Sequence, residues 1–383
     1  MLSGNRDVSC ATCHHPTHAT GDGRELSAGV GGEGLGPDRV LAAGRELAPR
    51  NASPLFNLGD SAWRTQFWDG RVELFASGEI RNPAAGSLPA GLDNIAAVQA
   101  MFPVTSRDEM RGERGDVDIN GHPNEIAAMF DSEHGKIWGK LMTRLLEIPR
   151  YRELFAAAYP DLELEQLGFE HAANAIAAFE IEAFTLKKSP FDRYLAGEKD
   201  ALSDDAKRGA LLFFGEAGCG RCHGGALLTD QSFYNIAPPQ LGPGKEPEEP
   251  LDNGRARVSM NPLDTHLFRT PSLHNVAETA PYMHSGAFHK LEDVILHHTN
   301  PKASYLAYDA TSLDEPLRNT VLMDAQYREK MVASISPELD VVPELSAEQI
   351  QLLVLFLESL SSPELQNLER WIPEQSVSGL PID

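Results

Sequence analysis

The sequence predicts a mainly α-helical chain with long loops and little sheet, organised as two domains. Three observations carry this prediction. A length of 383 residues suffices for about two domains with a substantial core. One pattern, cysteine-x-x-cysteine-histidine, occurs twice, as Cys10-Ala-Thr-Cys13-His14 and Cys219-Gly-Arg-Cys222-His223. No run alternates for long at period two, whereas several segments repeat apolar residues at helical spacing. The recurrence divides the chain into 1–200 and 201–383.

Residues 171–186, HAANAIAAFEIEAFTL, predict a helix with Ala175, Phe179 and Ala183 on one stripe. The segment SPFDRYLAGEKDALS follows as a polar connector. Ser203 is placed to cap the helix DDAKRGALLFFG, which leads into the second motif. Residues 235–263 are rich in Pro, Gly and Asx and predict a long loop. Ser346 with Gln349 forms a capping box. The helix it opens carries Ile350, Leu353, Val354, Leu357 and Leu360 inward.

The chain has 33 basic and 56 acidic side chains, a formal charge of −23. Such a surface disfavours nucleic acid and anionic membranes and attracts a basic partner. No apolar run approaches the ~20 residues of a membrane helix, so no membrane span is expected. The opening MLSGNRDVSC lacks the basic start and apolar stretch of an export signal. Any such signal is expected to have been removed or to lie outside this sequence.

The two motifs use all four cysteines. A thioredoxin-type dithiol needs a preceding strand, and no apolar strand precedes Cys10. A zinc ribbon would pair the two knuckles, yet 205 residues lie between Cys13 and Cys219, against roughly 15–20 in a compact ribbon. The third reading is covalent c-type haem, with each thiol joined to a vinyl group and the adjacent histidine on the iron. Two complete motifs favour a di-haem cytochrome with two cytochrome c-like haem domains. Attachment of this kind takes place outside the bacterial cytoplasm, so a periplasmic location is expected. A cytochrome c domain packs an N-terminal helix against its C-terminal one, and nine residues before Cys10 are too few for it. A truncated or differently closed first domain follows.

The motifs, together with RNASPLFN (50–57), FWDGR (67–71) and FRTPSLHNVAETAPYMHSG (268–286), resemble the bacterial di-haem cytochrome c peroxidase superfamily. It includes the peroxidases proper and MauG-type enzymes that oxidise tryptophan in a partner protein. The resemblance runs over nearly the whole chain, with about 111–160 as an insertion. It implies peroxide reaction at the N-terminal haem, electron relay at the C-terminal haem, and a tryptophan between them, here Trp68. It also implies a peroxide pocket of glutamine, proline and glutamate, whose spacing gives Gln99, Pro103 and Glu109 in QAMFPVTSRDEM. One carboxylate can take a proton from one peroxide oxygen and return it to the other. Gln99 can orient peroxide, and Pro103 restricts the loop.

Many such peroxidases place a second histidine on the N-terminal haem, but the matching TGDGRELSAGVGGEGLG contains none. An open N-terminal iron is expected, with His15 and His18 at the haem edge or propionates. The distal ligand of the C-terminal haem falls fourteen residues after the histidine of APYxH, here His284, which gives His298. Leu291, Val294, Ile295 and His298 also share one helix face. His297 aligns with Lys290 and Asp293 on the polar face, and Met283 is the rival ligand. The resemblance further implies one calcium ion held by Asn51, Thr279 and Pro281, through hard oxygen donors. The function implied is peroxide-dependent oxidation, in the MauG-like form of oxidising a partner protein or as a peroxidase fed by a small redox protein. A non-catalytic electron-transfer cytochrome is the rival class, against which the Gln99, Pro103 and Glu109 set argues.

Overall fold

The computed structural model describes residues 1–382. Among these the helices in chain order are α1 (Cys10–Cys13), α2 (Ile95–Ala100), α3 (His134–Leu146), α4 (Pro149–Ala158), α5 (Phe169–Phe184), α6 (Pro190–Leu195) and α7 (Asp204–Phe214). They continue with α8 (Ala256–Ser259), α9 (Leu291–Thr299), α10 (Pro301–Leu306), α11 (Glu315–Arg318), α12 (Ala325–Ala333) and α13 (Ala347–Glu358). Sheet is confined to short antiparallel pieces. Gly32–Glu33 pairs with Val40–Leu41, and Phe233–Tyr234 pairs with Phe268–Arg269. A three-stranded piece joins Thr65–Gln66, Val72–Leu74 and Ile80–Arg81.

The caps follow the sequence. Ser203 Oγ accepts the Ala206 N–H, and Ser346 and Gln349 form their reciprocal box. Leu353, Val354, Leu357 and Leu360 are buried, and Leu352 and Phe356 join them. α7 crosses α13 at Gly209, where a Cβ would stand 2.0 Å from the Leu352 carbonyl oxygen. Only glycine permits this approach, and it brings the second motif directly after the crossing.

Two expectations are corrected. The buried face of α5 is Phe169, Ala172, Ala173, Ala177, Glu180, Ala183 and Phe184, while Ala175 and Phe179 are exposed. The helix is apolar on most sides, so its phase is set by what covers it. Phe179 packs edge-on against Trp371, a residue from the far end of the chain. The segment after α5 is more than a polar connector, because α6 inserts Phe191 against Phe356 of α13. The stretch 111–160 supplies α3 and α4. Buried Arg144 of α3 donates to the carbonyls of Met1, Ser3 and Gly4 and pairs with Glu125. The segment before Cys10 is thus fastened by the insertion rather than by a helix of its own.

Two main apolar clusters form the core. One gathers α2, α3 and α5 around Met101, Phe102 and Trp138, and takes in Leu227 and Leu368 from late in the chain. The other gathers α6, α7, α9 and α13. Arg50 joins the halves. Its guanidinium grips Asp252 through two bonds of 2.6 and 2.8 Å and reaches Asp69 at 2.6 Å, all three side chains being buried. Burial alone would raise both carboxyl groups; Arg50 overrides it, holding Asp252 at about 2 and Asp69 well below its ordinary range.

Arg50→Met leaves buried Asp252 without its cation and Asp69 with Arg71 alone, at 3.4 Å. It is expected to cost about 3–5 kcal/mol at neutral pH, read from urea unfolding midpoints. In the native protein the stabilisation is present above the unfolded value of 3.8 and is lost as pH falls toward about 2. In the variant the Asp252 carboxyl is no longer held down by Arg50, so the gap from the native protein should narrow on acidification. A gap independent of pH would show that the cost is one of packing.

Candidate functional site

The first motif forms α1 and ends on His14. The His14 Nδ1–H donates to the Thr20 carbonyl at 3.0 Å, which leaves Nε2 with its lone pair. Burial lowers the pKa of His14, so the ring is neutral. His14 faces a cleft of about 160 Å³ that opens to solvent, and Cys10 and Cys13 line it too. Gln99 reaches the cleft from the last turn of α2, whose start is capped by Asn94. Pro103 opens the next 3₁₀ turn, and Glu109 projects from a π-helical turn over Arg107–Arg111. All three line the cleft, as does Trp68, and His14 is the one histidine among its lining residues.

Trp68 is half-buried at the seam between the halves. Its Nε1–H donates to the Asn51 carbonyl at 3.0 Å, and its own carbonyl accepts from Arg269 N–H at 2.8 Å. Asn51 is a hub of the same seam. Its backbone N–H donates to the His284 carbonyl at 2.7 Å, and its side-chain NH₂ donates to the Arg24 and Glu25 carbonyls. This brings Asn51 to the loop that carries Thr279 and Pro281.

The second site is built on opposed imidazoles. His223 Nδ1 points to the Leu228 carbonyl at 3.4 Å, and His298 Nδ1–H donates to the Val294 carbonyl at 2.8 Å. The two ring centroids stand 6.5 Å apart. Two metal–nitrogen bonds of about 2.0–2.1 Å plus the ring offsets give about 6.4 Å for imidazoles sharing one metal. Burial, then the neighbouring His298, lowers His223 to about 4, and burial lowers His298. Both rings are neutral, as ligands must be. These residues therefore fit a haem: cysteine pairs for attachment and anchored imidazoles with free lone pairs.

His297 departs from expectation. It is fully buried rather than on a solvent face, because the last turn of α9 runs beneath the 235–237 loop and α10. Its Nε2–H donates to the Ile236 carbonyl at 2.6 Å, and Nδ1 faces Ser304 Oγ at 2.9 Å. That tautomer occupies both nitrogens, so His297 is a structural residue. His15 and His18 do not line the first cleft; His15 Nδ1 is 2.6 Å from Thr17 Oγ1 and turned into its own loop.

Other chemistries fit poorly. Burial pushes the Cys13 thiol up to about 12 and the Cys219 thiol to about 11, the reverse of a reactive dithiol. Among the described residues no three His, Cys, Asp or Glu side chains are grouped to hold a metal ion. Sequence reasoning missed four cleft residues: Glu180 on α5, Lys245 from the 235–263 loop, Arg50 and Arg269. An acid among the alanines of an apolar helix was the signal for Glu180. Lys245 offered none, because a loop residue carries no periodicity.

Residues 1–200 match a protein family described as di-haem cytochrome c peroxidase. The methylamine utilization protein MauG of Methylorubrum extorquens is 32% identical over 298 residues, 78% of this chain and 64% of that protein. Cytochrome c551 peroxidase of Pseudomonas aeruginosa is 30% identical over 298 residues, 77% of this chain and 66% of that protein. The chain thus spans just under two thirds of the length of these relatives. The crystal structure of a MauG-like protein associated with microbial copper homeostasis superposes with a TM-score of 0.61 at 26% identity, covering 95% of this chain and 86% of that one. The diheme peroxidase BthA from Burkholderia thailandensis shares the fold, with a TM-score of 0.61 at 18% identity over 95% of this chain and 83% of that one. The match over the first 200 residues, with both CxxCH motifs in place, makes the chain a member of the di-haem cytochrome c peroxidase family.

Proposed function

We propose that the chain is a periplasmic di-haem oxidoreductase with haem domains 1–200 and 201–383. It reacts with hydrogen peroxide at the first site and exchanges electrons with a protein partner through the second. The observation that carries this reading is the contrast between the sites. His223 is opposed by His298 at 6.5 Å, whereas His14 faces a cleft lined by Gln99, Pro103 and Glu109 with no second histidine. Cys10, Cys13 and His14 hold the first haem; Cys219, Cys222, His223 and His298 hold the second. Bound there, haem supplies redox-active iron and, on an open face, a place for peroxide.

The residues divide the work. Glu109 takes a proton from one peroxide oxygen and returns it to the departing one, as base and then acid. Gln99 orients peroxide through its amide without competing for the proton. Pro103 fixes the turn between them. Trp68, held by Asn51 and Arg269 at the seam, passes electrons between the halves. Histidine in place of methionine at the second iron lowers its potential. With an open first site, this supports MauG-like oxidation of a bound protein. The similarity to cytochrome c551 peroxidase supports the second reading, a peroxidase fed by a small redox protein. Kinetics with candidate donors separate the two. A charge of −23 favours a basic partner in either case. Asn51, with the carbonyls of Thr279 and Pro281, is assigned one calcium ion at the seam.

Glu109→Gln is expected to retain both haems and slow peroxide decay by about 10²–10⁴ in stopped flow. An unchanged rate removes Glu109 from the mechanism.

The resting ferric protein is expected to show one high-spin and one low-spin signal by electron paramagnetic resonance. His298→Ala should convert the low-spin signal. His297→Ala should leave it in place and lower stability by about 1–3 kcal/mol, through the buried bonds it removes. A low-spin signal that survives His298→Ala overturns the ligand assignment.

Asn51→Ala is expected to weaken calcium binding, and chelation of the native protein should reproduce its effect on peroxide turnover. Calcium-free protein of full activity would remove the site.

A further inference from the structure

A buried acid without a partner lies in the wall of the first cleft. Glu180 shares the inward face of α5 with Ala173, Ala177 and Phe184 and is 7% exposed. It lines the cleft with Cys10 and His14, and its Oε2 has no hydrogen-bond partner among the described residues. Buried polar groups nearly always have one.

Little else acts on this carboxyl. Burial raises it to about 7, and no charged side chain contributes. Helix α2, packed against α5, reads IAAVQA and offers no titratable group. On α3 the Arg144 guanidinium is taken by Glu125 and three backbone carbonyls. The cleft is also lined by Glu109, His14, Cys10, Arg50, Arg71, Lys245 and Arg269. The sulfur of Cys10 no longer titrates once it carries haem.

We propose that Glu180 is the charge-compensating proton site of the N-terminal haem, which takes up one solvent proton when that haem takes one electron and releases it on reoxidation. The assignment rests on the haem reading above. The step balances: one electron from a reducing protein converts ferric to ferrous iron, one proton converts carboxylate to acid, and no bond to the cofactor forms or breaks. An electron added in a poorly solvated interior disfavours a nearby negative charge, so reduction raises the affinity of Glu180 for its proton. By reciprocity, protonation eases reduction.

The test is potentiometry of the two-haem protein, following the N-terminal haem between about pH 6 and pH 9, across the titration of a carboxyl group shifted up by burial. Haem content of two per chain tests the underlying assignment; the slope tests this one. The midpoint should fall with rising pH and approach 59 mV per unit, the tenfold step of a one-electron couple. Glu180→Gln should flatten the slope in this window, whereas Glu109→Gln should retain it. An unchanged slope in Glu180→Gln overturns the proposal. Reduced-minus-oxidised infrared spectra of the native protein provide a check without any variant. A protonated carboxyl band gained on reduction is expected, and its absence is contrary to the assignment.

Discussion

Arg50 and its two carboxylates form the constraint around which the two sites are arranged. Asp69 follows Trp68 in the chain, Asp252 lies in the loop that delivers Lys245, and Arg50 itself precedes Asn51. Fixing these three charges therefore fixes the indole, the loop and the asparagine that joins the halves. The cost of burying three charges is offset because every one is paired, two of the bonds forming a fork on a single carboxylate. Such pairs stabilise less than an apolar core of equal size, but they specify one geometry. Under the proposed function a relay between two cofactors needs that specification, since electron transfer depends on fixed separations.

The same anchoring chemistry serves both sites, and what faces it differs. Each motif histidine turns Nδ1 to a main-chain carbonyl, which sets the tautomer and frees Nε2. In the second half α9 presents His298 to the free nitrogen. In the first half the corresponding space is bounded by turns carrying Gln99, Pro103 and Glu109. One fold thus presents two different surroundings to its motif histidines, a second imidazole beside His223 and a cleft beside His14, and the distinction lies in a few side chains.

Local signals were legible in the sequence and long-range ones were not. The caps at Ser203 and Ser346 are short-range patterns, and the structure keeps them; Gln99, Pro103 and Glu109, close in sequence, line one cleft with His14. The phase of α5 is not legible in the sequence, because an alanine-rich helix has no strong stripe; Phe179 stays exposed, with one edge-on contact to Trp371. His297 reads as solvent-facing because Asp293 and Lys290 are exposed one and two turns earlier. Only the packing of Ile236 and Ser304 over the end of the helix reveals its burial. The Arg50 clasp has no local signature at all, since its partners are distant in sequence.

If the seam joins the sites into one electronic unit, oxidation begun at the first must reach the second. The direct measurement is to add one equivalent of peroxide to the ferric protein and follow both paramagnetic signals in time. The high-spin and low-spin signals are expected to diminish together, because the oxidising equivalent is shared through Trp68. Loss of the high-spin signal alone, with the His223–His298 signal untouched, would contradict the account.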